Sequence, residues 1–268
     1  MSIDWNELAK AGVVRQSRRR FLDRPLGDED RRALEAFVVN IEQAVPFTHE
    51  CRTLIRAVPA GLRPFTFFGP TSFAAFAAPP SVLAEAHAGF LGELLVLRAT
   101  ELGLGTCWVA QFRRLDTYQV VYGSAEEDAP KTIHAITPLG YVTEKVSGVS
   151  DRITTSIFSS RKKTVEKNLS GDSLVEFPAH LRNALELACK APSALNAQPW
   201  TFRITDAWDR FTVEIAQPVG YEHRIWKHPE IDIGICAAHV WVALMSQEVE
   251  HELEIVETEG RIIWRFHT

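Results

Sequence analysis

Cysteine is scarce in this sequence. Its 268 residues include four cysteines, and no two of them form a C-x-x-C pair. A disulfide framework needs a regular set of cysteines and a zinc site needs closely paired ones, so neither is expected. The first ten residues also lack the apolar stretch of a secretory signal, since they include Asp4, Glu7 and Lys10. We therefore expect a reducing, cytoplasmic setting.

An excess of positive charge is also absent. Lysine and arginine total 29 against 34 acidic residues, which gives a formal net charge of −5 at pH 7. A dedicated nucleic-acid-binding protein usually presents a basic surface. We expect no nucleic-acid partner, and any anion that the chain binds must be held by a local cluster of basic side chains.

A long unbroken apolar run is missing as well. Residues 64–84 carry no charge and are numerous enough to raise the question of a membrane span. Pro70, Pro79 and Pro80 interrupt this run, and proline breaks a helix. The pattern predicts that Phe73 to Ala78 form a buried strand and that the chain has no membrane partner.

The composition that is present belongs to a packed globular protein. Hydrophobic residues make up 46% and charged residues 24%, far from the composition of disordered chains. The length fits one large domain or two small ones. Apolar periodicity predicts helices within residues 34–45, 85–102 and 231–246, strands within 133–137, 200–215 and 262–266, and a turn at 138–140. Such a mixture indicates an α+β fold.

Residues 15–21, the arginine segment, contain four arginines. In an extended chain Arg15, Ser17 and Arg19 share one face, while Arg18 and Arg20 share the other with Gln16. Two guanidinium groups beside a hydroxyl group suit a phosphate dianion. A solvated basic strand, or a patch for acidic partners, is the alternative.

Residues 103–108, the glycine exit, read G-L-G-T-C-W after an apolar helix. The third glycine of a dinucleotide-binding fingerprint is absent, and the glycines follow a helix instead of leading into one. Glycine lets the backbone approach a flat ligand, with Cys107 and Trp108 as apolar walls. An ordinary glycine helix cap explains the pattern equally well.

Residues 191–200, the amide loop, read A-P-S-A-L-N-A-Q-P-W. Amide side chains such as Asn196 and Gln198 both donate and accept hydrogen bonds, as the edge of a heterocycle requires. Alternatively, Asn196 caps a turn and Trp200 fills the core. No metal site is predicted, because the spacing of His223, His228 and Asp232 fits no common ligand pattern.

Together the three motifs resemble the FMN-dependent nitroreductase family. Its members carry an R-x-S-x-R-x-F segment, a G-L-G-T-C-W helix exit and a P-S-x-x-N-x-Q-P-W loop, and all three are present here. The chain adds P-L-G-Y at residues 138–141 and R-K-K at residues 161–163. Any one of these motifs is weak, but the set is specific.

The order of the motifs departs from that of ordinary family members. Those are obligate dimers in which the amide loop follows the first long helix and covers the flavin of the other subunit, whereas here the loop begins near residue 192. The resemblance therefore implies a fused, single-chain form: a nitroreductase-like α+β fold of two tandem halves, residues 1–165 and 166–268. The halves would form an intramolecular pseudodimer with a central sheet flanked by helices, one flavin site and a monomeric state.

The resemblance also implies which residues bind FMN. The phosphate and ribityl chain would be held by Arg15, Gln16, Ser17 and Arg19, with Arg161 and Lys163 closing the phosphate end. Gln16 stands where the family usually has a second arginine. The isoalloxazine ring would be contacted by Leu104, Gly105, Thr106, Pro138, Leu139, Gly140, Pro192, Ser193, Ala194 and Asn196.

The activity implied by the resemblance needs no catalytic side chain. NADH or NADPH would reduce FMN, which would then reduce a small nitroaromatic or quinone-like acceptor in ping-pong turnover, so the hard chemistry belongs to the cofactor. A flavin-binding protein without turnover, used for storage or regulation, is the alternative, because a fold and a cofactor do not guarantee an activity.

Overall fold

The described part of the chain alternates helices with antiparallel strands. The computed structural model describes residues 3–58, 69, 71–109, 132–142, 163–207, 210–222 and 226–268. Its helices are α1 Trp5–Val14, α2 Asp28–Ala44, α3 Val82–Glu101, α4 Val165–Asn168, α5 Ala179–Ala188 and α6 Pro229–Ser246. Its strands are β1 Arg52–Ala57, β2 Ser72–Ala78, β3 Leu104–Gly105, β4 Thr132–Tyr141, β5 Thr201–Ala207, β6 Arg210–Ala216, β7 Glu252–Thr258 and β8 Arg261–His267.

Helices α3 and α6 form the buried centre and confirm the two longest predicted helices. Both are apolar on nearly every face, as helices covered on all sides must be. Ser81 begins α3 by accepting the Ala84 N–H at 3.1 Å. Among the described residues, α6 is the one helix long and apolar enough to cross a membrane, and 83% of that stretch is buried inside the protein. It is therefore a core helix.

The two central helices touch backbone to backbone where they cross. A Cβ atom on Gly89 of α3 would lie 2.1 Å from the carbonyl oxygen of Ile231. One on Gly234 of α6 would lie 2.0 Å from the carbonyl oxygen of Ala86. Only glycine permits this approach. The contact is reciprocal, because each glycine meets the carbonyl group of the residue that lies three positions before the glycine of the partner helix.

The described strands form two sheets instead of the single central sheet that we expected. Their orders are β1-β2-β4-β3 and β5-β6-β8-β7, and all pairings are antiparallel. Within the described residues, strands β1 to β4 pair with one another and strands β5 to β8 pair with one another. The predicted buried strand is β2, in which every residue is buried.

The predicted turn at residues 138–140 is wrong, since β4 continues through it to Tyr141. Pro138 sits opposite Phe73 in the register of β2 and β4. Proline lacks an N–H group and would normally break an inner strand. Here Cys107 passes the other side of Pro138, and its N–H donates to the Thr137 hydroxyl group at 3.2 Å. The Thr137 hydroxyl group thus satisfies the Cys107 N–H beside the proline.

Candidate functional site

The arginine segment lies directly beside the glycine exit. Ser17 forms a parallel bridge with Thr106, and the Arg18 N–H donates to the Thr106 carbonyl oxygen at 2.7 Å. Immediately after the segment, the Leu22 N–H donates to the Tyr141 carbonyl oxygen at 2.8 Å. Three motifs that are far apart in sequence thus meet: the arginine segment, the glycine exit and residues 138–141.

Two glycines make this close approach possible. A Cβ atom on Gly105 would lie 2.6 Å from the Val142 side chain and 3.2 Å from that of Arg18. One on Gly140 would lie 3.1 Å from the ring of Phe21. The neighbouring site residues Leu104, Thr106 and Leu139 are buried. The glycines therefore allow the arginine segment to pack against β3 and β4.

Within the arginine segment, Arg15 turns inward to a carboxylate that the sequence reasoning missed. Its side chain is 6% exposed, and its Nε lies 3.8 Å from Oε1 of Glu93, which is fully buried. The same carboxylate accepts from Trp108 Nε1 at 2.7 Å and lies 2.9 Å from His239 Nε2. The signal was available, because Glu93 is the one acidic residue in the middle of an apolar helix. Ser17 and Arg19 are half-buried and Gln16 is exposed.

The amide loop has a constrained backbone between α5 and β5. Leu195, Asn196 and Gln198 have φ of 53°, 53° and 47°, the left-handed region that non-glycine residues avoid. The Ser193 hydroxyl group accepts the Gln198 N–H at 2.9 Å and closes the turn. Pro192 is buried, while Ser193, Ala194 and Asn196 are half-buried. Strain of this kind concentrates at binding sites.

Lys163 is bound to the amide loop through Gln198. The buried Gln198 side chain accepts the Lys163 N–H at 2.6 Å, and the Gln198 carbonyl oxygen accepts from Lys163 Nζ at 2.9 Å. Partial burial lowers the pKa of the Lys163 ammonium group. Gln198 is thus a further residue that shapes the site. Arg161, the other predicted residue of this region, lies outside the described residues.

Two buried carboxyl groups stand in the first turn of α6. Asp232 Oδ1 accepts the Ala194 N–H of the amide loop at 2.9 Å, and Glu230 Oε1 accepts from Gln217 Nε2 at 2.6 Å. Burial raises the pKa of each to about 7.

The three residues considered as metal ligands do not come together in the described part of the chain. His228 does not contact Asp232, since its Nδ1 lies 2.7 Å from Oε1 of Glu85, and His223 lies outside the described residues. No group of three metal-binding side chains occurs within the described ranges.

The predicted site residues therefore fall into two groups. The first combines the arginine segment, the glycine exit and β4, and it rests on α3 through Arg15 and Glu93. The second combines Lys163 with the amide loop, and it rests on α6 through Asp232. Because α3 and α6 pack against each other, the two central helices set the distance between the groups.

The donors of the first group suit a phosphorylated flavin. Arg15 Nε is buried and, although it forms the long ion pair with Glu93 at 3.8 Å, it has no hydrogen-bond partner among the described residues. Guanidinium and hydroxyl donors of the arginine segment can bind a phosphate group, and Gly105 keeps side chains away from the neighbouring backbone. The residues present thus fit FMN.

Comparison with known proteins places these features in a family. The family model described as "Putative TM nitroreductase" matches residues 7–244. A structure from Thermotoga maritima, described as a "putative nitroreductase", is similar over 99% of this chain and 95% of its own, with a TM-score of 0.61 and 20% identity. This likeness shows the fold.

Two smaller structures match part of the chain. A nitroreductase with bound FMN from Bacteroides fragilis covers 52% of this chain and 90% of its own, with a TM-score of 0.40 and 14% identity. A nitroreductase family protein from Clostridium difficile covers 65% of this chain and 100% of its own, with a TM-score of 0.43 and 19% identity. No curated protein matches this chain.

Proposed function

The chain belongs to this nitroreductase family, and from that membership we propose that it is an FMN-dependent oxidoreductase. It would use NADH or NADPH to reduce a small nitroaromatic or quinone-like acceptor. The observation that carries the proposal is the pairing of the arginine segment with the glycine exit at Ser17 and Thr106. This pairing puts phosphate donors next to a backbone that can approach a flat ring.

Each group of residues has a distinct role in the proposal. Arg15, Ser17 and Arg19 bind the phosphate and ribityl chain, Lys163 approaches the phosphate end, and the amide loop contacts the ring. Bound FMN supplies the hydride chemistry. Backbone N–H groups and cationic side chains stabilise the negative charge that reduction adds. One open site would serve both half-reactions, and so turnover would be ping-pong.

We also propose that the chain is an intramolecular pseudodimer of residues 1–165 and 166–268. The sheet orders support this, because a helix, an antiparallel pair of strands, a central helix and two further strands recur in the same order in each proposed half. The reciprocal contact of Gly89 and Gly234 is what a two-fold axis produces. Both central helices also end the same number of residues beyond these glycines, and left-handed residues follow, Gly103 with φ 74° and Glu248 with φ 55°.

One flavin site per chain follows from this proposed symmetry. The position equivalent to the glycine exit in the second half starts at Glu248 and lacks glycine. The position equivalent to the amide loop in the first half is the short segment between α2 and β1, where Phe47 stacks on His87 with ring centroids 4.7 Å apart. Aromatic packing would fill the second site, and the protein would be a monomer.

We propose that the protein is cytoplasmic. All four cysteines are free and buried, which suits a reducing compartment.

The proposed activity is tested with purified protein under anaerobic conditions. We expect a yellow protein whose flavin absorbance is lost on addition of NADH or NADPH and returns when a nitroaromatic or a quinone is added. Flavin that stays oxidised with both nucleotides would support the alternative of a flavin-binding protein without turnover. A colourless protein that takes up no added FMN would overturn both.

The residue assignment is tested with two double variants of the arginine segment. Arg15→Ala with Arg19→Ala should raise the FMN Kd at least ~100-fold, because hydrogen bonds to charged groups contribute about 1.5–3 kcal/mol each. Arg18→Ala with Arg20→Ala, on the other face, should change it little. Circular dichroism checks folding, since Arg15 is buried. Equal FMN affinity in both variants would contradict the assignment.

A further inference from the structure

The amide loop is bonded to α6 through one oxygen of the buried carboxyl group of Asp232. Asp232 is 2% exposed, and its Oδ1 accepts the Ala194 N–H at 2.9 Å. Its Oδ2 has no hydrogen-bond partner among the described residues. An ionised group out of water needs partners on both oxygens, so the site accommodates a neutral carboxyl group better than a carboxylate.

Burial dominates the titration of Asp232. It raises the pKa of the carboxyl group to about 7, although the Ala194 N–H and the Trp226 indole act in the opposite direction. In the part of the chain that the structure describes, the other titratable groups that act electrostatically with Asp232 are Tyr221, before α6, and Cys236, one turn further along it. Burial raises the pKa of both, so both stay neutral near pH 7. The basic group attached to the loop is Lys163, on Gln198.

The loop that Asp232 holds is strained. Its three left-handed residues, Leu195, Asn196 and Gln198, cost free energy that contacts such as the Ala194 bond must offset. Backbone strain of this kind lowers the free energy that opening of the loop requires.

We propose that Asp232 is a positioning residue that couples closure of the amide loop to the binding of one proton, an inference that rests on the proposed function for its effect on flavin. When neutral, Asp232 still accepts the Ala194 N–H through its carbonyl oxygen, and no charge is buried. When ionised, it carries a buried charge that the Ala194 N–H and the Trp226 indole stabilise only in part, and opening the loop admits water.

The direction of the effect follows from proton linkage. The closed loop holds Asp232 at a raised pKa, while an open loop returns it toward the ordinary carboxyl range, so the closed state binds more protons between the two values. Rising pH over this interval therefore favours the open loop, and above about pH 8 the effect levels off. Because the amide loop is proposed to contact the ring of FMN, flavin affinity should fall over the same interval.

Glu230 provides a matched control on the same turn of the same helix. It is also 2% exposed, and burial also raises its pKa to about 7. Its partner, however, is Gln217 and not the amide loop. Glu230→Gln removes a similar buried charge without touching the anchor of the loop, whereas Asp232→Asn keeps an acceptor for Ala194 and cannot ionise.

Hydrogen exchange of the purified protein without added FMN tests the loop directly. After correction for intrinsic exchange rates, protection of the peptide covering residues 191–200 should fall about tenfold between pH 5.5 and 8 in the wild type. It should stay constant in Asp232→Asn and follow the wild type in Glu230→Gln. Constant protection in the wild type would overturn the proposal whether or not the variants fold, and so would loss of the pH dependence in Glu230→Gln.

FMN titrations of the same three proteins separate this inference from the proposed function. At pH 8, Asp232→Asn should bind FMN several-fold more tightly than the wild type, and at pH 5.5 the two should match. Titration of the FMN phosphate affects all three proteins alike. If FMN binds and the protection of the loop does not change with pH, the proposed role of Asp232 is wrong, while the proposed function is unaffected. If loop protection follows pH and FMN never binds, the function is wrong and the coupling stands.

Discussion

At the scale of single residues, this protein keeps a few ionisable side chains inside an apolar centre. Glu93 is tolerated because Trp108, His239 and Arg15 all face its carboxylate. His87 is buried as well, but its Nε2 has no partner among the described residues, and burial lowers its pKa to about 4. Glu93 has hydrogen-bond partners and His87 Nε2 has none among the described residues, so the two side chains should respond differently to mutation and to pH.

Removing the carboxylate of Glu93 should destabilise the fold strongly. Glu93→Ala leaves Arg15 and the Trp108 N–H buried without their partner, and breaking a buried pair in this way costs about 3–5 kcal/mol. Denaturant unfolding measures the loss. The matched control is Glu7→Ala, which removes the exposed ion pair with Lys10 and should change the free energy of unfolding by less than about 1 kcal/mol. Equal losses in the two variants would contradict this account of Glu93.

His87 should make the protein sensitive to acid. The unfolded chain binds a proton near the ordinary histidine pKa and the folded chain only near pH 4, so this contribution to stability is lost as the pH falls from 6.5 to 4. His87→Phe keeps the stacking on Phe47 and removes the titration. As the pH falls across this interval, the free energy of unfolding of His87→Phe should rise by about 3 kcal/mol relative to that of the wild type. Parallel pH profiles from urea titrations would refute the assignment.

At the scale of elements, backbone contacts decide where helices and strands can lie. α3 and α6 approach so closely at Gly89 and Gly234 that side chains are excluded, and β4 continues through Pro138, next to which the Thr137 hydroxyl group accepts the Cys107 N–H. Neither arrangement follows from the propensity of the residues involved, since glycine weakens a helix and proline weakens a strand.

Gly89→Ala should therefore destabilise the protein although alanine is the better helix former. A Cβ atom 2.1 Å from the Ile231 carbonyl oxygen forces the helices apart, and overpacking of this kind costs about 3 kcal/mol. Gly171→Ala is the control, because a Cβ atom there meets nothing within 4 Å. Thermal unfolding followed by circular dichroism should show a large loss for the first variant and little change for the second.

At the scale of the whole molecule, the described residues form two sheets with the same strand order and a pair of central helices that pack against each other. Under the proposed pseudodimer, the second potential flavin position is filled by Phe47 and His87. The proposed binding residues then serve a single site, since the arginine segment and the glycine exit both belong to the first half.

The proposed architecture predicts a stoichiometry and a mass. We expect equilibrium dialysis to find one FMN per chain and light scattering to find a particle of about the chain mass of 30.1 kDa. Two flavins per chain would contradict the filled second position. A particle of twice the mass would contradict the monomer while leaving the single site in place.

Local patterns in the sequence determined much of this protein. The apolar runs placed β2 and most of α3 and α6, because neighbouring residues share one element and its periodicity. The motifs at residues 15–21, 103–108 and 191–200 supplied the resemblance to the nitroreductase family, which the family model confirms.

Only the tertiary structure determines which distant residues contact one another. It turned Arg15 toward Glu93, tied Asp232 to Ala194, carried β4 through Pro138 and separated the strands into two sheets. Periodicity shows which face of an element is buried, but it does not show which distant residue covers that face. The contacts that set charge, strain and protonation at the candidate site join residues far apart in the chain, so only the folded protein defines them.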